Sequence, residues 1–391
     1  MAYFISSTTA RPLCLTLTTL VALIGGVGGA AAASLTVQSV IMTGLANPRG
    51  LAVGPDGAVY VAEAGSGGDI PIPAGDSGAA GFGQTAGISR YAAGVQERVV
   101  SGLPSLAGPG GSEATGVQDI AFGADGTLHA ILGFGADPAL RAGLPGNGGL
   151  LGQLVSVSGG SVTPVADVAA FEASANPDGG GVNSNPFSLV GLPGGGFAVS
   201  DAGGNDVLSV GAGGAIDVLG ILPPAANPLP FGPPAYDPVP TGIALGANGE
   251  VFVAQLTGFP FPVGEAKVFR ILDDLLSVYA GGLTNLIDVA VGEDGSVYAL
   301  ELDSDSLLGP LTTGALYSVG PSGTKDLLLG GLERPTGLAA GPNGRLYVSV
   351  NGLSATGGQV IELAPIPLSG SAGFLIASVV VMGGFRQRQR P

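Results

Sequence analysis

The stretch GLAVGPDGAVYVAEAG, residues 50–65, reads as two short apolar strands broken at Asp56-Gly57, and it recurs five times. The further copies are DIAFGADGTLHAILGF from Asp119, SLVGLPGGGFAVSDAG from Ser188, GIALGANGEVFVAQLTG from Gly242, DVAVGEDGSVYALELD from Asp288 and GLAAGPNGRLYVSVNG from Gly337. Each is a β-hairpin pattern, with Asp56, Asp125, Gly194, Asn248, Asp294 or Asn343 at the turn. A tight two-residue turn needs positive φ, which Asp, Asn and Gly tolerate best, so such a turn is expected in every copy.

Outward from the hairpin a second pair of strands follows, as in GISRYAAGVQERVVSG from Gly87, DVLSVGAGGAIDVLG from Asp206 and ALYSVGPSGTKDLLLGG from Ala315. Four strands per repeat make one propeller blade. The sixth copy has only one further strand, GQVIELA near Gln359, whereas LTVQSVIMTG from Leu35 is a spare strand at the start. The fold expected is therefore all-β, a six-bladed β-propeller closed by its N-terminal strand, because closure removes the sheet edges that invite aggregation.

The two ends read as addresses. Arg11, an apolar run from Leu13 to Ile24 and Ala31-Ala32-Ala33 follow the order of a signal peptide over residues 1–33, cleaved after Ala33. Residues 365–391 hold an apolar stretch from Leu368 to Phe385 and then Arg386, Arg388 and Arg390, the pattern of a transmembrane or sorting helix with its basic end cytoplasmic. Residues 34–364 are the propeller. The protein is expected to be exported, periplasmic or at the cell surface, and tethered through its tail unless processed.

Composition narrows the chemistry. Of 391 residues 72 are Gly and 30 Pro, yet 46% are hydrophobic and Gly clusters at turns instead of every third position, so the chain folds and is no collagen. With 13 basic against 29 acidic residues and a net charge of −16, there is no basic footprint for nucleic acid. Cys14, the one cysteine, leaves with the signal peptide, which excludes a disulfide or thiolate metal site in the mature chain. A single histidine, His129, sits where other copies carry Tyr or Phe and reads as a packing residue.

In an antiparallel blade the turns alternate between faces, so the tight turns share one face and the long connections, residues 64–86, 133–150, 164–185, 221–239, 257–264 and 303–313, share the other. Binding residues are expected on that elaborated face. Glu63, Leu132, Asp201, Gln255, Glu301 and Val350 end the second strands there; Arg49, Gln118, Asp119, Asn185, Thr241, Asn285, Asp288 and Arg334 begin the first strands and are expected to ring the central channel. From these, Arg49, Glu63, Asp119, Asn185, Asp201, Gln255, Asp288, Glu301 and Arg334 are the candidate ligand-binding residues. Acids with two arginines and amides could hold a cation, a sugar or a polar small molecule. The plainer role for Glu63, Asp201 and Glu301 is bonding to backbone in the following turn, and for Asp119 and Asp288 holding neighbouring blades. The DSDS run from Asp303 to Ser306 lacks the Gly and distal Glu of a calcium loop, so no metal site and no cofactor are assigned.

The blade phrases resemble NHL-type propellers. NPFSLVGLPGGGFAVSDAGGNDVLSV from Asn185, PTGIALGANGEVFVAQLTGFPFPVGEAKVFRI from Pro240 and GLTNLIDVAVGEDGSVYALEL from Gly282 resemble the secreted ScyD/ScyE family, named for the scytonemin pigment cluster, with QLTGFPFP the most distinctive part. The tail PIPLSGSAGF…GGFRQRQR resembles PEP-CTERM and VPLPA sorting tails without the Pro-Glu-Pro core, which implies an exosortase-like processing enzyme as a partner. The resemblance implies an exported propeller and carries over no catalytic residues. With no nucleophile, base or thiol constellation, the leading expectation is a monomeric binding or scaffold protein for a polar small molecule, a glycan or an envelope protein. The alternative is a periplasmic enzyme of metal-dependent lactonase or strictosidine-synthase type, with Glu63, Asn185, Asp201 and Asp288 as cation ligands.

Overall fold

The computed structural model describes residues 35–75 and 78–365; the expected signal peptide, and all of the expected tail but Pro365, lie outside the described residues. Six antiparallel four-stranded sheets follow one another as blades. Blade 1 is Pro48–Val53, Val59–Glu63, Gly78–Ala92 and Val95–Ala107, and Ile70–Gly75 pairs with the third of these as an extra strand. Blade 2 is Val117–Phe122, Leu128–Leu132, Gln153–Ser158 and Ser161–Asp167; blade 3 is Pro186–Gly191, Phe197–Asp201, Asp206–Val210 and Ile216–Ile221. Blade 4 is Pro240–Leu245, Val251–Gln255, Ala266–Leu272 and Leu275–Leu283; blade 5 is Leu286–Val291, Val297–Glu301, Thr313–Val319 and Lys325–Glu333.

Blade 6 takes Gly337–Ala340, Leu346–Val350 and Gly358–Pro365, and its outer strand is Leu35–Leu45 from the other end of the sequence. Thr36 faces Ala364 and Val40 faces Ile361 in that seam, as the split repeat required. Met42 and Leu45 anchor it in the cluster of Leu51, Val61, Tyr347 and Val360.

Burial explains the strand patterns. The second strands are covered on both faces by neighbouring blades, so Phe197–Asp201 and Val251–Gln255 are buried at every position, with apolar runs at 197–199 and 251–254 before the buried polar residues that end them. The outer strand Lys325–Glu333 buries only Leu328 and Leu332 and leaves the rest of its length more open. Between blades 1 and 2, Ala62, Ile88 and Val100 pack on Val117, Ile120 and Ala130.

The hairpin turns differ from the expectation. Gly54 N–H donates to Ala58 C=O and Gly57 N–H to Gly54 C=O, which makes a three-residue loop, a type I turn closed by a left-handed residue. Gly57, at φ 75°, carries the positive angle, and Asp56 accepts from Ala58 N at 3.1 Å. Gly126, Gly195, Gly249 and Gly295 do the same in blades 2 to 5, and only in blade 6 is the Asn itself left-handed, Asn343 at φ 60°. The Asp is there to tie the turn to the next strand, not to adopt the unusual backbone angle.

The tight loops share one face and the long connections the other. Four of the long connections carry structure that the sequence pattern did not show: the extra hairpin of blade 1, short 3-10 turns at Pro138–Gly143 and Gly148–Leu150, an eight-residue helix, Val168–Ala175, whose N-terminus Asp167 caps by accepting from Ala170 N, and a ribbon of Ala225–Ala226 with Ala235–Tyr236. Among the described residues no helix is long and apolar enough to cross a membrane.

Candidate functional site

The carboxylates that end the second strands are struts. Glu63, 1% exposed, accepts from Ala46 N at 2.8 Å and Ser89 Oγ at 2.5 Å and pairs with Arg98 at 2.8 Å. Asp201, also 1% exposed, accepts from Ser184 Oγ and Asn185 N, both at 2.6 Å, and from Gly203 and Gly204 N at 3.0 and 3.1 Å. Glu301 accepts from Thr284 N and Ser304 Oγ. All three reach back to the chain just before their own blade's first strand, and Asp201 and Glu301 also reach forward into the following turn. Gln255, in the same position of blade 4, is buried with no donor for its Oε1 among the described residues.

The residues that begin the first strands mostly turn sideways between blades instead of ringing the channel. Arg49, 6% exposed, donates to Gln118 Oε1, Pro48 C=O, Ala114 C=O and Gly352 C=O, stitching blades 6, 1 and 2; burial lowers its pKa to about 10. Thr241 Oγ1 contacts the carbonyls of Ala254 and Leu286, and Asn285 bridges Leu256 and Leu307. Asn185 Oδ1 accepts from Phe134 N, and Arg334 pairs with the buried Asp303 at 2.8 Å. His129 packs on Phe197 with ring centroids 4.5 Å apart, the packing role its place in the repeat implied.

Asp119 and Asp288 do reach the axis. Corresponding positions of the six phrases are Gly50, Asp119, Ser188, Gly242, Asp288 and Gly337, and five of them, all but Gly337, line a narrow axial space with Gln118, Phe187 and Thr336. A Cβ at Gly50 would overlap Asp119 Oδ1, and one at Gly242 would overlap Asp288 Oδ1, so the two glycines make room for the two acids. Asp119 accepts from Ile120 N, Leu189 N and Ser188 Oγ; Asp288 accepts from Val289 N and Leu338 N. Burial pushes Asp119 up to about 7, and burial followed by repulsion from Asp119 pushes Asp288 well above the usual carboxylate range. The pair floors a channel cavity of about 360 Å³ lined by the inner strands as far as Val53, Leu245 and Ala340, which places it toward the tight-turn face.

Glu63, Asn185, Asp201 and Asp288 do not form one metal centre. Among the described residues no three acidic, His or Cys side chains converge in a metal-holding group. Residues absent from the sequence-level candidates surround a larger space on the elaborated face, a cleft of about 590 Å³ where the connections of blade 1 meet Ala355 and Thr356 of blade 6. Its wall is largely backbone, at Gly68, Gly81, Gly108, Gly110 and Gly111, with Ser66, Asp69 and Thr356 as polar side chains. Nothing about separate glycines in two distant loops signals a shared cleft until the seam between blades 6 and 1 is known. Elsewhere on this face the distinctive QLTGFPFP segment presents Phe259, 50% exposed, against Phe231 at 6.4 Å and Phe261 at 6.1 Å between ring centroids.

Comparison with protein-family models and with characterised proteins finds no match. Solved structures do match. The PQQ-bound aldose sugar dehydrogenase of Streptomyces coelicolor is 16% identical with a TM-score of 0.51, over 84% of this chain and 97% of that one. A candidate gluconolactonase is 14% identical, TM-score 0.49, over 85% and 93%, and a virginiamycin B lyase of Staphylococcus aureus is 14% identical, TM-score 0.43, over 85% and 89%. At 16% identity the likeness to the dehydrogenase is one of fold. It agrees with the propeller described above and transfers no residue role.

Proposed function

We propose that this chain is an exported, envelope-tethered binding protein of the ScyD/ScyE type that holds a hydroxyl-rich ligand, a glycan, on its elaborated face. The observation that carries the reading is the 590 Å³ cleft at the closing seam, of a size that suits a small ligand; the amides of Gly68, Gly108 and Gly111 are already donated within the protein, so its partners for hydroxyls are the wall's carbonyls and the side chains of Ser66, Asp69 and Thr356. Most of the nominated acids and amides are spent on holding the fold, and the cleft is a polar concavity of that face among the described residues. Phe231 and Phe259 add exposed apolar surface to the same face. Export and tethering rest on the two ends of the sequence, with an exosortase-like enzyme as the partner that would process the tail.

Titration calorimetry of the full chain with envelope oligosaccharides tests this. Saturable binding is expected, weakened at least about tenfold, or ~1.4 kcal/mol, by Thr356→Phe, which fills the cleft. Heat that is unchanged by Thr356→Phe would move the site elsewhere, and no heat with any glycan would remove the reading. A second reading, a propeller enzyme, is favoured by Asp119 and Asp288, two buried carboxylates with raised pKa at the floor of a channel. Turnover of lactone or sugar substrates that Asp119→Asn abolishes without unfolding would establish it.

A further inference from the structure

Away from the axis, the helix Val168–Ala175 brings Glu172 over the turn between the second and third strands of blade 3, where Asp206 begins the third strand opposite Asp201. Glu172 is 2% exposed and Asp206 1% exposed. Glu172 Oε1 and Asp206 Oδ1 are buried with no hydrogen-bond partner among the described residues. Asn176 Oδ1, at the C-cap of the same helix, is in the same condition. Gly204 lies between Glu172 and Asp201: a Cβ there would meet Glu172 Oε2 at 3.3 Å and Asp201 Cγ at 3.4 Å, so the absence of a side chain lets the helix carboxylate approach the turn that leads to Asp206.

The surroundings are acidic throughout. Asp178, on the loop after the helix, accepts from Gly180 N at 2.7 Å and Asn205 Nδ2 at 2.9 Å, and Asp201 is saturated by the four donors already named. No ion pair among the described residues reaches Glu172, Asp178, Asp201 or Asp206. Burial first, then repulsion from Asp201, Glu172 and Asp178, raises Asp206 to about 9, and burial with Asp201 and Asp178 raises Glu172 to about 7. Glu172 also accepts from Asn183 N, but Glu172 Oε1 and Asp206 Oδ1, buried without donors and without a countercharge, are costly. A hard divalent cation removes the cost for both at once.

We propose that the space between this helix and blade 3 is a calcium site, with Glu172 and Asp206 as its charged ligands and loop oxygens completing the shell. Calcium fits better than magnesium because the donors are carboxylate and amide oxygens on an irregular loop, which suits six to eight flexible ligands more than a strict octahedron. The acids do not yet converge as a three-carboxylate group, so the ion draws Glu172 and Asp206 together and fastens the helix to the blade.

The test uses the purified full-length protein, stripped with chelator and then titrated with calcium chloride by calorimetry and thermal melting. Asp206→Asn, Glu172→Gln and the exposed Asp217→Asn are run beside it. One calcium per chain is expected, with Tm rising by roughly 5 °C when calcium exceeds its Kd a hundredfold. Asp217→Asn should keep the rise, and Asp206→Asn and Glu172→Gln should lose it. In chelator near neutral pH Asp206→Asn should melt above the wild type, because it removes a buried carboxyl that must take up a proton to fold, and in calcium below it. That reversal of order is not expected of an acid that merely packs. No heat and no Tm change in the wild type overturns the proposal, and so does an equal rise in Asp206→Asn; an equal rise with magnesium chloride overturns the choice of ion. Should the variants fail to fold, the wild-type calcium stoichiometry alone decides.

Discussion

Blades 1 to 3 and blades 4 to 6 place different residues on the axis in a related order: Gly50, Asp119 and Ser188 in one half, Gly242, Asp288 and Gly337 in the other. Blades 2 and 5 stand three apart in a ring of six, so the two acids face each other across the channel. Each acid fills the space its preceding glycine leaves and binds the backbone of the blade that follows, Leu189 or Leu338. The halves part at the third position. Ser188 gives Asp119 a hydroxyl donor and itself accepts from Ile243 N, whereas a Cβ at Gly337 would overlap Arg49 C=O, so the closing seam leaves no room for a serine. Closure costs the second half one hydrogen bond, and Asp288 is accordingly the less compensated acid.

The largest effects should come from filling the space under the acids. Gly50→Ala and Gly242→Ala each force a methyl into a buried carboxylate, and each should destabilise by about 3 kcal/mol in urea melts, the upper range for overpacking. Equal losses would sharpen the two-fold reading. A tolerated Gly242→Ala beside a disruptive Gly50→Ala would break it.

Next in size is the pH response. Burial raises both acids in the folded state, so folded protein holds protons that the unfolded chain releases near pH 4. Their stabilisation is full below that pH and is lost as pH rises, through about 7 for Asp119 and further for Asp288, by at most ~1.4 kcal/mol per unit for each group. Asp288→Asn should match the wild type near pH 4 and exceed it by roughly 2 kcal/mol at pH 8. Asp119→Asn should gain less, since three donors already serve its carboxylate. An Asp288→Asn that is less stable at pH 8 would show a charged and compensated acid.

How much of this was legible follows from where the chain repeats. The six phrases, the split blade and the spare N-terminal strand carry the propeller and its closure in their spacing, because every blade buries the same face. Asp119 and Asp288 were legible as blade-holding residues, since they recur in register with a glycine or serine. The roles of Arg49 and Asn185 were not: both sit at the right height, but side-chain direction at the start of a strand is set by the neighbouring blade. The cleft near Gly110 and the helix bearing Glu172 lie in connections unique to their blades, where no repeat exists to compare. Glu172 and Asp206, 34 positions apart, become neighbours only through the loop that crosses from blade 2 to blade 3.

Ser188→Ala sets the halves level. It removes a donor to Asp119 and an acceptor of Ile243 N, and should cost about 1–2 kcal/mol by denaturant melting while bringing the pH profile of Asp119 toward that of Asp288. A neutral Ser188→Ala would mean that the backbone donors alone hold Asp119, and that the third position separates the halves in sequence only.

The smallest effect probes whether the relation of blades 2 and 5 extends from the axis to the tight-turn face. Asp125 accepts from Thr127 N and Oγ1, and Asp294 accepts from Ser296 N and Oγ, the same two bonds in opposite blades. These donors hold both carboxyls below the usual range, the opposite of the acids on the axis. Asp125→Ala and Asp294→Ala should therefore lower Tm equally, by about 1–2 °C, with the loss vanishing in acid where the carboxylates protonate. Asp56 in blade 1 also pairs with Arg90 at 2.7 Å, and Asp56→Ala should show a salt-dependent loss that the other two lack. If all three respond alike, the turns follow the six-fold repeat and the two-fold relation belongs to the channel alone.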